Sequence, residues 1–249
     1  MKNNKFTKIG VYDSGIGGVS ILKEILNKVK GDIIYLSDSK NNPYGDKEEN
    51  ELKKIIFSNI EFLINQNCNP IVIACNTATA VAIDDLRKKY SDIVFIGTEP
   101  AIKTVYDFQE NNKKTLFIST KLTSESERVK NLINKYKVND IVIYPAIGLA
   151  DIIENKNCDM IDKYFSDNFT NYKNYDYIIL GCTHYPLIKD KFKEYFKEAK
   201  IIDSGIGVSN QVKRMIDKYN FIFKKENLTF IDTSNNKNKK DIFNYYLNK

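Results

Sequence analysis

The chain has 249 residues, 42% of them hydrophobic and 28% charged, the balance of a globular protein with room for a sizeable core, and it excludes collagen-like, disordered and disulfide-dense classes. No apolar run approaches the length needed to cross a bilayer, and the opening residues 1–5 lead into a strand-like segment without the apolar core of a leader, so a cytoplasmic protein is expected. The net charge of +6, from 38 Lys+Arg against 32 Asp+Glu, is spread along helix faces and into an Asn/Lys-rich tail at 235–240 that reads as solubilising. Without clustered groove-reading or stacking motifs it does not point to nucleic acid.

In chain order, short runs rich in Ile, Val, Leu and Phe predict strands at 8–12, 32–36, 70–74, 93–96, 115–118, 140–144, 177–181, 201–203 and 228–231. Such runs suit strands buried on both faces. Helical periods lie between them, most clearly over 46–67, where Leu52, Ile55, Ile56, Ile60, Leu63 and Ile64 form one stripe. Asp46 and Thr123 are expected to cap helices, with Glu residues following Asp46 in the first turn. The alternation predicts an α/β fold with largely parallel sheets flanked by helices.

A weak internal echo suggests two similar halves. Ile73-Ala74-Cys75-Asn76-Thr77 and Leu180-Gly181-Cys182-Thr183-His184 both place a cysteine just after an apolar strand, and Asp13-Ser14-Gly15-Ile16-Gly17 recurs as Asp203-Ser204-Gly205-Ile206-Gly207. The second glycine string lacks a P-loop lysine and the third glycine of a dinucleotide fingerprint, so it is read as a turn returning the chain to its first half. Each half would then present one thiol at the carboxyl edge of its sheet, where open α/β folds bind ligands.

A cysteine between a strand and a helix meets unsatisfied N–H groups and the positive end of the helix dipole, which favour its thiolate. Two such thiols across a cleft are what inversion at a carbon acid requires: one removes the proton from one face and the other returns a proton to the opposite face. Asp13, ending the first strand, is expected near Cys75, and His184, the sole histidine, lies two residues beyond Cys182. Cys68 and Cys158 lack that strand-to-helix setting and read as incidental thiols. A Cys182–His184 hydrolase is disfavoured, because residues two apart on such a turn are expected to diverge.

The strings Gly10-Val11-Tyr12-Asp13-Ser14-Gly15-Ile16-Gly17-Gly18, Pro43-Tyr44-Gly45, Ala74-Cys75-Asn76-Thr77-Ala78 and Leu180-Gly181-Cys182-Thr183-His184-Tyr185-Pro186-Leu187 together resemble the signature segments of glutamate racemases, in order and over nearly the whole chain. The resemblance implies a cofactor-independent two-base enzyme of small-molecule substrate, glutamate, supplying D-glutamate for peptidoglycan, with no metal. It implies Cys75 acting on the D-enantiomer and Cys182 on the L-enantiomer, assisted by Asp13, His184 and Glu154. It implies substrate contacts from Ser14, Pro43, Tyr44, Gly45, Asn76, Thr77, Thr120, Thr123 and Thr183. Two departures stand out: Ser119 replaces a usual glycine, and Ala146-Ile147 replaces a frequent Cys-Pro step. The expected organisation is two domains, 1–98 plus 205–249 and 99–204, with the site in the cleft between them and a homodimer as the assembly. Racemisation of another amino acid such as aspartate, or a regulatory binding protein on the same fold, are the alternatives.

Overall fold

A computed structural model describes residues 7–108, 113–138 and 140–249; the leader expectation for residues 1–5 falls outside them. In the amino-terminal part, strands β1 (Lys8–Asp13), β2 (Asp32–Ser37), β3 (Cys68–Ile73) and β4 (Phe95–Gly97) alternate with helices α1 (Val19–Leu26), α2 (Glu49–Asn65) and α3 (Asn76–Lys89). After α4 (Ile102–Asp107) come β5 (Thr115–Ser119), α5 (Lys121–Glu125), α6 (Glu127–Tyr136), β6 (Ile141–Pro145), α7 (Leu149–Glu154) and α8 (Cys158–Asn168). Then follow β7 (Tyr177–Leu180), α9 (Lys189–Tyr195), β8 (Lys200–Ile202), α10 (Gly205–Tyr219), β9 (Asn227–Asp232) and α11 (Asn238–Asn248).

The strands form two sheets, ordered β4-β3-β1-β2-β9 and β6-β5-β7-β8, and every pairing within them is parallel. Parallel strands need crossover helices on their faces, which is why the central strands are apolar throughout: β1, β3, β5 and β7 are almost wholly buried, while the edge strands β6 and β9 are half-exposed. Buried apolar residues of both sheets, from Ile9 and Val11 to Leu116 and Ile178, belong to one continuous cluster that also takes in Phe243 and Tyr246 of α11.

Strand order reverses beside β1, whose neighbours are β2 and β3, and beside β5, whose neighbours are β6 and β7. The carboxyl ends of β1 and β3 therefore part around a crevice, as do those of β5 and β7. Cys75 follows β3 and Cys182 follows β7, so each thiol stands at the switch point of its own sheet.

Local details correct the sequence reading. α2 begins at Glu49 behind Glu48, with Glu49 and Glu51 in its first turn, so Asp46 is not its cap. Thr123 caps nothing; Thr120 caps α5 and Ser126 caps α6, each accepting a backbone N–H three residues on. The string at 203–207 opens α10 rather than forming a turn, and α10 packs back on α1. It nonetheless shares one device with its echo: the side chains of Asp13 and Asp203 each accept the N–H of the glycine two residues on, at 3.1 and 3.0 Å.

Candidate active site

Both thiols line one cavity of about 270 Å³. Ser14, Pro43, Tyr44, Gly45, Asn76, Thr77, Thr120, Thr183 and His184 share its wall. Asn42, Asp46, Lys121, Ala150, Asp151 and the Ala146-Ile147-Gly148 turn complete it; none of them was expected among the substrate contacts, although Asp46 was expected as a helix cap and Ala146-Ile147 was noted as a departure. Asp13, Glu154 and Thr123 do not reach the cavity and lie behind those that do. A larger groove of about 590 Å³ elsewhere has neither thiol nor imidazole, and its Arg128 is already paired with Asp84 and Glu99.

On the first side, β3 delivers Cys75 to the N-cap of α3, where its sulfur accepts the Ala78 N–H at 3.4 Å and its S–H donates to Ser14 Oγ at 3.6 Å. The expected helix-end setting is present, but it does not make this a thiolate at rest. Burial, reinforced by the charge of Asp13, pushes the thiol up to about 12 against the pull of Ala78 and Ser14. The charge of Cys182 adds to that rise, so the two sulfurs interact across the cavity.

Asp13 is fully buried at the end of β1 and accepts hydrogen bonds from the Gly15 N–H and from Thr183 Oγ1 at 3.1 Å each. Burial raises its carboxyl to about 6, with His184 and the Gly15 and Gly18 N–H groups opposing. It influences Cys75 through charge, whereas its direct bond is to Thr183 on the other side.

On the second side, β7 ends in a turn that runs into the short 3-10 helix Tyr185–Ile188, not a regular α-helix. The turn brings Cys182 Sγ to 3.7 Å from His184 Nδ1, correcting the expectation that the two diverge. His184 Nε2 is 2.6 Å from Glu154 Oε2, which also accepts the Ile16 N–H at 3.0 Å, while Glu154 Oε1 receives Lys239 Nζ at 2.6 Å. Burial would push Glu154 up, yet His184 and Lys239 overcome it and hold the carboxyl at about 2. Because Glu154 is thus a carboxylate, Nε2 is the donor of that bond and Nδ1 faces the sulfur. Burial pushes the imidazole down, but Cys182 and Glu154 outweigh it and hold His184 well above the ordinary histidine value.

Glycines make this packing possible. A Cβ on Gly17 would lie 2.5 Å from His184 Nδ1 and 2.7 Å from Thr183 Oγ1, and one on Gly15 would lie 2.6 Å from Glu154 Oε2. The Asp-Ser-Gly-Ile-Gly string of the first sheet is therefore the floor on which the second sheet's His–Glu pair rests.

The remaining wall is held by two hydroxyl-rich networks. Thr77 Oγ1 bonds Thr120 Oγ1 at 3.0 Å and Thr123 Oγ1 at 3.2 Å, joining α3 to α5 across the cavity, with Thr123 buried behind. The Pro43-Tyr44-Gly45 loop is tied down by buried Asp38, whose carboxylate accepts Tyr44 OH at 2.5 Å, Asn59 and Asn41 at 3.0 Å and Thr233 at 2.6 Å. Burial raises the Tyr44 phenol well above its usual range, so it is a donor here. At the departures, Ser119 bonds Ser124 at 2.7 Å, and buried Ala146 is held by Ser119 O and Tyr185 OH, leaving Ile147 exposed at the rim. Among the described residues no His/Cys/Asp/Glu cluster has metal-binding geometry, and no helix is long and apolar enough to cross a membrane.

The family model described as Asp/Glu/Hydantoin racemase matches residues 32–206. The chain belongs to this racemase family. A glutamate racemase of Clostridium botulinum (strain Okra / Type B1) is 39% identical over 241 residues, covering 94% of this chain and 93% of its own length. Among solved racemase structures, glutamate racemase of Campylobacter jejuni superposes with a TM-score of 0.82 at 30% identity, covering 97% and 98% of the two chains. Glutamate racemase of Francisella tularensis, solved with D-glutamate, gives 0.83 at 27% identity over 98% and 94%.

Proposed function

We propose that this racemase-family chain interconverts L- and D-glutamate by two-base proton transfer between Cys182 and Cys75. The observation that carries the reading is the cavity itself: two buried sulfurs from two different sheets line one small chamber. From L-glutamate, the Cys182 sulfur, its proton passed to His184 Nδ1, takes the α-proton. Cys75, which burial keeps as a thiol, then protonates the opposite face of the carbanion. In the reverse direction the roles exchange, and the Ala78 N–H and the Ser14 hydroxyl stabilise the sulfur of Cys75 as it becomes a thiolate.

Substrate carboxylates fit the Ser14 and Thr77 hydroxyls and the backbone N–H groups of Thr120 and Thr183, whose own hydroxyls donate to Thr123 and Asp13, with Tyr44, Pro43 and Gly45 closing the wall. Asn76 Oδ1 is buried and accepts no hydrogen bond from the described residues, which leaves it for the substrate ammonium. In this reading Asp13, Glu154 and Thr123 act from behind. The same reading takes residues 1–98 with 205–249 and residues 99–204 as the two domains, and extends to a cytoplasmic homodimer making D-glutamate for peptidoglycan.

The test is a circular-dichroism assay with each glutamate enantiomer and no added cofactor, with aspartate run in parallel. Glutamate is expected to racemise; aspartate racemising in its place would overturn the substrate. Cys75→Ser and Cys182→Ser are each expected to lose on the order of 10²–10⁴-fold in rate, with exposed Cys158→Ser unchanged. Full rates in the first two variants would remove the mechanism.

A further inference from the structure

We infer that Lys239, reaching from the C-terminal helix α11 to the far side of Glu154, is a positioning residue for the Cys182 side of the site. The tail at 235–240 reads in sequence as a solvated basic run, and most ion pairs among the described residues are of that exposed kind, which contribute little. Lys239 differs. Its side chain is only 12% exposed and that of Glu154 2%, at an Nζ–Oε1 distance of 2.6 Å. Its neighbour Lys240 is exposed.

Lys239 stands in the first turn of α11, where the helix dipole disfavours a cation. The local cost is offset by the carboxylate it meets. From Lys239 inward the groups form one line: ammonium, the Glu154 carboxylate, the His184 ring, the Cys182 sulfur, joined at 2.6, 2.6 and 3.7 Å. Both oxygens of Glu154 are thereby engaged, Oε1 by Lys239 and Oε2 by His184 and the Ile16 N–H. Without Lys239, Oε1 of a buried carboxylate loses its donor and the group turns to find another, taking the ring with it. Among the described residues Cys75 has no comparable chain behind it; its partners there are Ser14 and the Ala78 N–H. The lysine's effect is accordingly one-sided. The helix stays seated without it, since Phe243 and Tyr246 are buried, the first of them stacked on Phe230 and packed against Tyr35.

This inference rests on the two-base reading above, and its test has an arm that does not. His184 is the only histidine, so histidine-selective ¹⁵N labelling gives one ring spin system in the intact chain. The Nε2 and Hε2 resonances are expected to move in Lys239→Met, to return in Lys239→Arg, and to stay in place in Lys240→Met. In kinetics, Lys239→Met is expected to lose about tenfold or more in kcat/KM, with Lys239→Arg restoring most of it. The loss should be asymmetric in origin. The primary isotope effect should rise with α-deuterated L-glutamate, whose deuteron goes to Cys182, and fall with α-deuterated D-glutamate, whose deuteron goes to Cys75. Unmoved ring resonances would overturn the inference, and so would isotope effects that stay level or move together. A wild-type chain that racemises no glutamate would sink the function instead, and the ring resonances would still judge Lys239.

Discussion

Replacing Glu154 by glutamine removes one buried charge while keeping size and shape, and its consequence is set by pH. The carboxyl is held at about 2 against an ordinary 4.5, a difference of 2.5 by subtraction, so its ionised form contributes on the order of 3 kcal/mol to the folded state. The sign follows from the direction of the shift: the unfolded chain binds this proton more readily, so the stabilisation is present above the unfolded value and is lost as pH falls toward the folded one. Measuring between about pH 5.5 and about pH 3 keeps His184 protonated in both the folded and the unfolded chain, so of the His184–Glu154 pair only the carboxyl titrates, and the other carboxyls, Asp13 among them, are common to both proteins. Urea denaturation of wild type and Glu154→Gln should give a stability gap of about 3 kcal/mol at the upper pH, shrinking to about 1.5 kcal/mol at the lower. The glutamine also turns an amide donor toward Lys239 or His184, which deepens the gap at every pH without changing its slope. A gap that is flat, or that widens on acidification, would refute the reasoning.

Three further outcomes are expected. Gly17→Ala drives a methyl to within 2.5 Å of His184 Nδ1 in a ring pinned by Glu154. Racemisation should fall far more steeply than the roughly 1–3 kcal/mol of overpacking seen in a thermal melt, and an unchanged rate would contradict the packing of that floor. Asp38→Ala strips the acceptor from Asn41, Tyr44, Asn59 and Thr233. KM should rise as the Tyr44 wall loosens and stability should drop by about 3 kcal/mol or more from the orphaned donors; an unmoved KM would detach that network from the site. Thr123→Val, which removes a hydroxyl that bonds Thr77 and Thr120 from outside the cavity, should cost about 1 kcal/mol of stability and leave some racemisation; a rate as low as in Cys75→Ser would put that hydroxyl on the substrate instead.

The parallel sheets were legible because β1, β3, β5 and β7 are buried on both faces and so carry uninterrupted apolar runs, whereas boundaries moved by one to three residues. The start of α2 falls behind Glu48, whose side chain makes no cap, and α6 is capped by Ser126, where Asp46 and Thr123 were expected. The cysteines were legible as a pair because each follows a strand; their protonation was not, since burial at Cys75 outweighs the helix end that sequence suggests. Lys239 was hidden for a different reason. Its partner lies 85 positions away in α7, and nothing in an Asn/Lys-rich run distinguishes a lysine that turns inward. The only local hint is its place in the first turn of a helix, where a cation is disfavoured. The walls at Asp38 and Ala146-Ile147-Gly148 come together through loop packing, which leaves no periodic trace.

The most direct test of two thiols exchanging a hydrogen across one stereocentre is to supply L-glutamate in deuterated water and follow both enantiomers at early times. The account predicts that the D-glutamate formed carries deuterium at the α-carbon while the remaining L-glutamate keeps its proton, because the donating sulfur has taken its hydrogen from solvent. D-glutamate that retains the original proton, or L-glutamate that exchanges as fast as it racemises, would mean that a single base handles both faces and would contradict the account.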